Sequence, residues 1–319
     1  GHVGFFYDHF FLHLHQGLSD YQIPHAERLY DSMGVAHDDR WDIALPTLDD
    51  TLGYLRQIRD EMAARLPEGM ADAATSYVWQ LAVFHEDMHG EAFTYTRQTL
   101  ADPAPKIDAP ARLADVDSGA IEGDVAIPGG EHTLGADDDV PFRFDNEQTA
   151  HTIQVAPFRI ARAPVTQAEF AAFVEAGGYR DPAYWSAEGW AWRESSELAA
   201  PVYWRTGPSG WEVRHFDAWY PMQPNAPVSH VSRYEAEAFC RWAGRRLPTE
   251  AEWEMAASRV PSGNGLEPGK RHYPWGNAPG DSRHANTDGY RVGTVDVAGL
   301  AEGDSALGCR QMLGNVWEW

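Results

Sequence analysis

The chain has 319 residues, with 48 acidic side chains against 25 Lys and Arg, a formal charge of −23 with histidine neutral. No Lys/Arg-rich stripe is present to neutralise phosphates, which argues against a nucleic-acid surface, and the longest apolar runs are far too short to cross a bilayer. With 43 % hydrophobic and 12 % aromatic residues the sequence reads as a folded soluble protein with room for two full-sized cores.

Residues 1–105 read as helical. The aromatic segment HVGFFYDHFFLHLH opens the chain, and a shorter helix is expected near HAERLYDSMG. LDDTLGYLRQIRDEMAARL places Leu48, Leu52, Leu55, Ile58 and Met62 at intervals of three and four, an amphipathic stripe, with Thr47 as its N-cap and aspartates in the first turn. TSYVWQLAVFHEDMHGEAFTYTRQTL predicts a second long helix, and together these segments predict an antiparallel bundle.

Composition then changes. ADPAPKIDAPARLADVDSGAIEGD carries three Pro and five Asp with no helical stripe, so a linker is placed at 106–123. From 124 to 319 the chain reads as short strands, Gly/Pro turns and Trp-rich loops, interrupted by one helix after Thr166 and another after Ser232, where Glu235 completes a capping box. PTEAEWE reads as one more capped helix start, and Trp253, Trp275, Trp317 and Trp319 read as core. The fold class is α+β. Cys240 and Cys309 cannot build a disulfide framework; they read as buried small hydrophobes in a reducing cytosol.

The stretch FHEDMHGE carries the chemistry. His85 and His89 stand four residues apart, so a continuous helix projects both rings from one face, the geometry of two ligands on one ion. Glu91 falls about 200° around the axis from His89 and faces elsewhere unless the helix breaks. A third ligand has to come from another helix, and the N-terminal segment offers His2, His9 and His13, which with Phe6 share one helical face. Spacing does not choose among them. Three neutral imidazoles with open positions suit Fe(II), Zn or Cu. Histidines satisfied by Glu86 and Asp87, with no metal, explain the same pattern.

Several motifs carry a family resemblance. The chain resembles the non-haem iron sulfoxide synthases of ergothioneine biosynthesis, with their ovothiol- and selenoneine-forming relatives. GHVGFF is similar to the family's first ligand segment and FHEDMHGE to its H-x3-H-x-E helix. The resemblance thereby implies a DinB-like four-helix-bundle domain holding Fe(2+) through His2, His85 and His89. FDNEQTAH, PVTQAEFAAF, GGY, WAGRRLPTEAEWEMAA, YPWGN and GNVWEW follow in the order of a formylglycine-generating-enzyme-type, C-type-lectin-like second domain.

In that family the second domain continues past GNVWEW through a Gly-Gly-Ser-Trp segment and an Arg-rich close, and this chain opens without Met. The resemblance therefore implies a chain truncated at both ends, with the family's tyrosine acid lying beyond Trp319, so no catalytic acid is assigned.

The expected reaction is O2-dependent C–S bond formation at imidazole C2 of hercynine. Its partners are small molecules: hercynine, O2 and a thiol donor, or a selenosugar if the chain is a selenoneine synthase. Met88, on the same side of the helix as His85, is expected beside the substrate imidazole, and Trp317 and Trp319 are the other substrate-binding candidates. Arg56, Arg59 and Arg97 are available for donor carboxylates and serve equally as a solvated face. Two further readings stand beside this one. A formylglycine-generating oxidase needs two close cysteines for copper, and a non-catalytic binding module needs no metal.

Overall fold

The computed structural model describes residues 1–66, 68–69, 71–106, 118–137, 140–287, 289 and 291–319. The middle of the expected linker, 107–117, lies outside the described residues. Two compact units divide the chain, Gly1–Thr96 and Arg97–Trp319. Among the described residues no helix is long and apolar enough to cross a membrane.

The first unit is helical. Helix α1 (His2–Phe6) runs straight into a π-helical stretch, Tyr7–His15, followed by the short α2 (Ala26–Tyr30), α3 (Leu48–Ala64) and α4 (Ala73–Leu100). Thr47 caps α3 as expected, its hydroxyl accepting from the Asp50 N–H at 3.2 Å.

The core of this unit gathers Phe11, Leu12, Tyr54, Ile58 and Met62, with Val78 and Trp79 of α4 against it. The stripe expected on α3 is therefore only half right. Ile58 and Met62 are buried, but Leu48 and Leu52 are exposed and Tyr54 takes the next inward position, because Tyr54, Ile58 and Met62 keep a strict four-residue row. Gly4 lets α1 lie close to α3, since a Cβ there would stand 2.9 Å from Leu55 Cδ2 and from Tyr54 Cε1.

One carboxylate, Asp8, is fully buried in this apolar setting. Its Oδ2 accepts from the Tyr54 hydroxyl and from the Gln22 N–H, both at 3.0 Å, and its Oδ1 lies 3.4 Å from His13 Nε2. Burial and then the Asp8 charge push the Tyr54 phenol far up, so it stays a donor.

The second unit is α+β. Strands β1 (Asp124–Ile127) and β4 (Phe158–Ala161) pair antiparallel, as do β2 (Gly130–Leu134) and β3 (His151–Val155). A three-stranded meander, β5 (Trp204–Gly207), β6 (Gly210–His215) and β7 (Ala218–Pro221), and a short pair, β8 (Pro261–Ser262) with β9 (Gly265–Leu266), complete the strands. Gly129, at φ +70 between β1 and β2, fits a turn where a Cβ would meet the Val155 carbonyl at 2.5 Å.

Helices α5 (Gln167–Glu175), α6 (Ala187–Ser196), α7 (Arg233–Trp242) and α8 (Glu250–Ser258) lie between them. The starts expected after Thr166, after Ser232 and in PTEAEWE all occur, each closed by a capping box with Glu169, Glu235 and Glu252. Two apolar clusters fill this unit. One is aromatic, with Phe170, Phe173, Tyr179, Trp185, Trp204 and Phe239; the other packs Met255 and Cys309 under β1 and β3.

The core role expected for four tryptophans holds in part. Trp253 packs against the second cluster, whereas Trp317 and Trp319 are 88 % and 58 % exposed. The last turn of α4 belongs to this unit, where buried Gln98 donates to the Arg214 carbonyl at 3.0 Å and accepts from the Phe216 N–H at 2.6 Å.

Candidate metal centre

His2 lies in the first turn of α1, and His85 and His89 lie one turn apart on α4. The three imidazoles meet inside the helical unit. Ring centroids are 5.3 Å apart for His2 and His85, 5.2 Å for His2 and His89, and 4.6 Å for His85 and His89. One ring nitrogen from each lies within 4.8 Å of the others, and this is the only such group of metal-binding side chains among the described residues.

The Nε2 atoms of His85 and His89 are 3.3 Å apart. Two nitrogens on one ion, each about 2.0–2.1 Å from it, stand roughly 3–3.4 Å apart, so this spacing fits a shared metal. His2 Nδ1 donates to the Tyr30 carbonyl at 2.7 Å, which fixes the tautomer and leaves Nε2 with its lone pair free for a ligand.

The electrostatics point the same way. Burial, reinforced by His89 and His2, lowers the His85 imidazole to about 4. Burial and then His2 lower His89 as well, with Glu86 opposing. Both rings are therefore neutral near pH 7, the form that binds a metal. Three neutral nitrogens facing one point fit a divalent transition ion, and this donor set accommodates iron, zinc or copper alike.

The other N-terminal histidines point elsewhere. His9 Nδ1 pairs with the Tyr21 hydroxyl at 2.7 Å, His13 faces Asp8, and His15 Nε2 pairs with Thr75 Oγ1 at 3.0 Å. The shared face expected for His2, Phe6, His9 and His13 breaks at the π-helical stretch. Its wider turn rotates residues after Phe6 off the α-helical stripe. Nothing in the residue pattern of YDHFFLHLH announces that turn.

Glu91 is exposed and outside the histidine group, in keeping with its place around the helix. Met88, beside His89, is 47 % exposed. Trp319 Nε1 donates to the Val231 carbonyl at 3.0 Å within the second unit. Arg56 is exposed, Arg59 pairs with its neighbour Asp60, and Arg97 donates to the Pro103 carbonyl. Sequence reasoning missed two contributors to the centre. The Tyr30 carbonyl leaves no side-chain signal; Phe6, one turn from His2, was visible but unassigned.

Both cysteines are buried and unpaired, Cys240 in the aromatic cluster and Cys309 in the other. Burial raises both thiols, Cys309 to about 11. They form no close pair of reactive thiolates.

These features define an α+β class: a helical unit with three converging histidines joined to a scaffold that matches a known family. Residues 111–319 match the sulfatase-modifying factor enzyme 1-like domain. The hercynine oxygenase of Mycolicibacterium smegmatis is 35 % identical over 297 residues, covering 93 % of this chain and 67 % of that protein. The hercynine oxygenase of Mycolicibacterium thermoresistibile is 37 % identical, covering 93 % of this chain and 65 % of that one. A formylglycine-generating enzyme of Thermomonospora curvata is 39 % identical over 220 residues, covering 62 % of this chain and 70 % of its own length. The chain thus spans about two thirds of the hercynine oxygenases it matches. It belongs to the hercynine oxygenase family within the sulfatase-modifying factor class.

Proposed function

We propose that the chain is the metal-binding and scaffold portion of an iron-dependent hercynine oxygenase that joins a thiol sulfur to imidazole C2 of hercynine at the expense of O2. The observation that carries this reading is the convergence of His2, His85 and His89 as neutral imidazoles. These three side chains would hold Fe(II), which when bound supplies the one-electron chemistry that O2 needs and no side chain provides.

The chain's own part is positional. His2, locked by the Tyr30 carbonyl, and the His85–His89 pair would present three nitrogens on one side of the ion and leave the rest to small molecules. Bringing the reactants together there removes the entropic cost of a many-body encounter. Met88, exposed beside His89, would contact the substrate imidazole. The proposed division is a metal-binding domain at 1–105, a linker at 106–123 and a scaffold domain at 124–319. Buried, unpaired cysteines suit a reducing cytosol.

The named relatives favour sulfur over the selenosugar reading. The copper-oxidase reading needs a close cysteine pair, and Cys240 and Cys309 sit in separate cores. The test is turnover. The iron-loaded chain, joined to a C-terminal extension taken from a matched hercynine oxygenase, is given hercynine, O2 and either cysteine or γ-glutamylcysteine, with mass spectrometry of the product. A C–S adduct that requires iron and disappears in His85→Ala supports the proposal. An iron-loaded protein that consumes no hercynine with either thiol contradicts it.

A further inference from the structure

The three histidines are not held alike. His2 is oriented by a hydrogen bond from its outer nitrogen to the Tyr30 carbonyl, the usual way a ligand imidazole is fixed. His85 turns Nε2 toward His89, and its outer nitrogen, Nδ1, is buried with no hydrogen-bond partner. The last torsion of a histidine is broad, so a ring without such a bond needs another constraint to keep its plane.

Phe6 supplies one. Its ring lies against His85 with centroids 3.8 Å apart and planes 15° from parallel, and Phe10 backs it with centroids 4.6 Å apart. Phe6 is one helical turn from His2 on α1, so a single element carries a histidine and the plate that flattens its neighbour.

We infer that Phe6 is the positioning residue for His85, replacing by stacking the acceptor that its outer nitrogen lacks. This rests on the reading that His2, His85 and His89 hold one divalent metal. It assigns Phe6 a role in metal affinity separate from packing. Phe10 touches Phe6 and is the control for packing alone.

The experiment is a Co(II) titration of the metal-free chain, read by the visible absorption of the bound ion, for the parent, Phe6→Leu, Phe6→Tyr and Phe10→Leu. Thermal unfolding without metal is measured in parallel. Phe6→Leu should weaken Co(II) binding at least about tenfold, the scale found when a ligand's orienting partner is removed, and Phe6→Tyr should restore it to within about twofold. Phe10→Leu should bind like the parent while losing a similar amount of thermal stability. Parent-like binding by Phe6→Leu overturns the inference and leaves the metal reading intact. So does equal weakening in Phe6→Leu and Phe10→Leu, which makes the role packing, and so does failure of Phe6→Tyr to restore binding. A parent chain that binds no Co(II) overturns the metal reading and this inference together.

Discussion

Three carboxylates of the second unit and the three converging imidazoles of the helical unit show two ways of placing ionisable groups out of water. In the second unit Glu252, Glu254 and Glu235 each have a partner. Arg246 holds Glu252 well below the usual range, the hydrogen bonds of His132 and Lys270 outweigh burial to hold Glu254 low, and Glu235 accepts from the Tyr179 hydroxyl and the Ser232 N–H. In the helical unit, three imidazoles face one another, and burial with their mutual repulsion pushes His85 and His89 toward neutrality, Glu86 opposing at His89. A fold resolves such conflicts where it can, and an unresolved one marks a place where a ligand is expected. The second unit is stabilised by its own contacts; the histidine cluster presents one ring nitrogen from each of three side chains toward one another.

Substitutions can break that contrast, and the largest effect should come from the scaffold. Phe173 is fully buried in the aromatic cluster. Phe173→Ala should cost about 3–5 kcal/mol, the range for emptying a large core site, measured by urea unfolding, with Co(II) affinity unchanged. Lost metal affinity in that variant would show that the two units do not behave separately.

Asp8→Ala comes next. It leaves the Tyr54 hydroxyl and the Gln22 N–H without their acceptor inside the helical unit. Each unsatisfied buried group costs about 1–3 kcal/mol, so this unit should melt first, seen as early loss of helical circular dichroism.

The pH dependence is smaller and its sign follows from the depressed His85 value. The unfolded imidazole titrates near 6.5 and the folded one near 4, so between these values the unfolded chain binds more protons. Stability of the metal-free chain should hold above pH 6.5 and fall as the pH is lowered from there toward 4. Unfolding midpoints across that window, for the parent and for His85→Gln, check it; the variant should lose part of the slope.

Ser232→Ala is the smallest. Removing the α7 cap, whose hydroxyl accepts from the Glu235 N–H at 3.3 Å, should cost about 1 kcal/mol. The metal site should not notice, as a cobalt titration of the variant would show.

What could be read from the sequence follows the range of the interaction. Capping boxes at Thr166, Ser232 and Thr249 span three residues and were legible. The His85–His89 pair was legible for the same reason: one helical turn sets both directions. The third arm was not, because it depends on how α1 lies against α4. Spacing left His2, His9 and His13 equal, and family resemblance pointed to His2. The structure separates them through a π-helical turn that no residue pattern announces. The exposed Trp317 and Trp319 show the converse failure, since a large apolar side chain reads as core wherever it stands.

The most direct test is the iron content of the chain prepared without oxygen, for the parent, His2→Ala and His9→Ala. The parent and His9→Ala should each hold close to one Fe(II) per chain, and His2→Ala little. Iron kept by His2→Ala and lost from His9→Ala would contradict this and move the third ligand into the π-helical stretch.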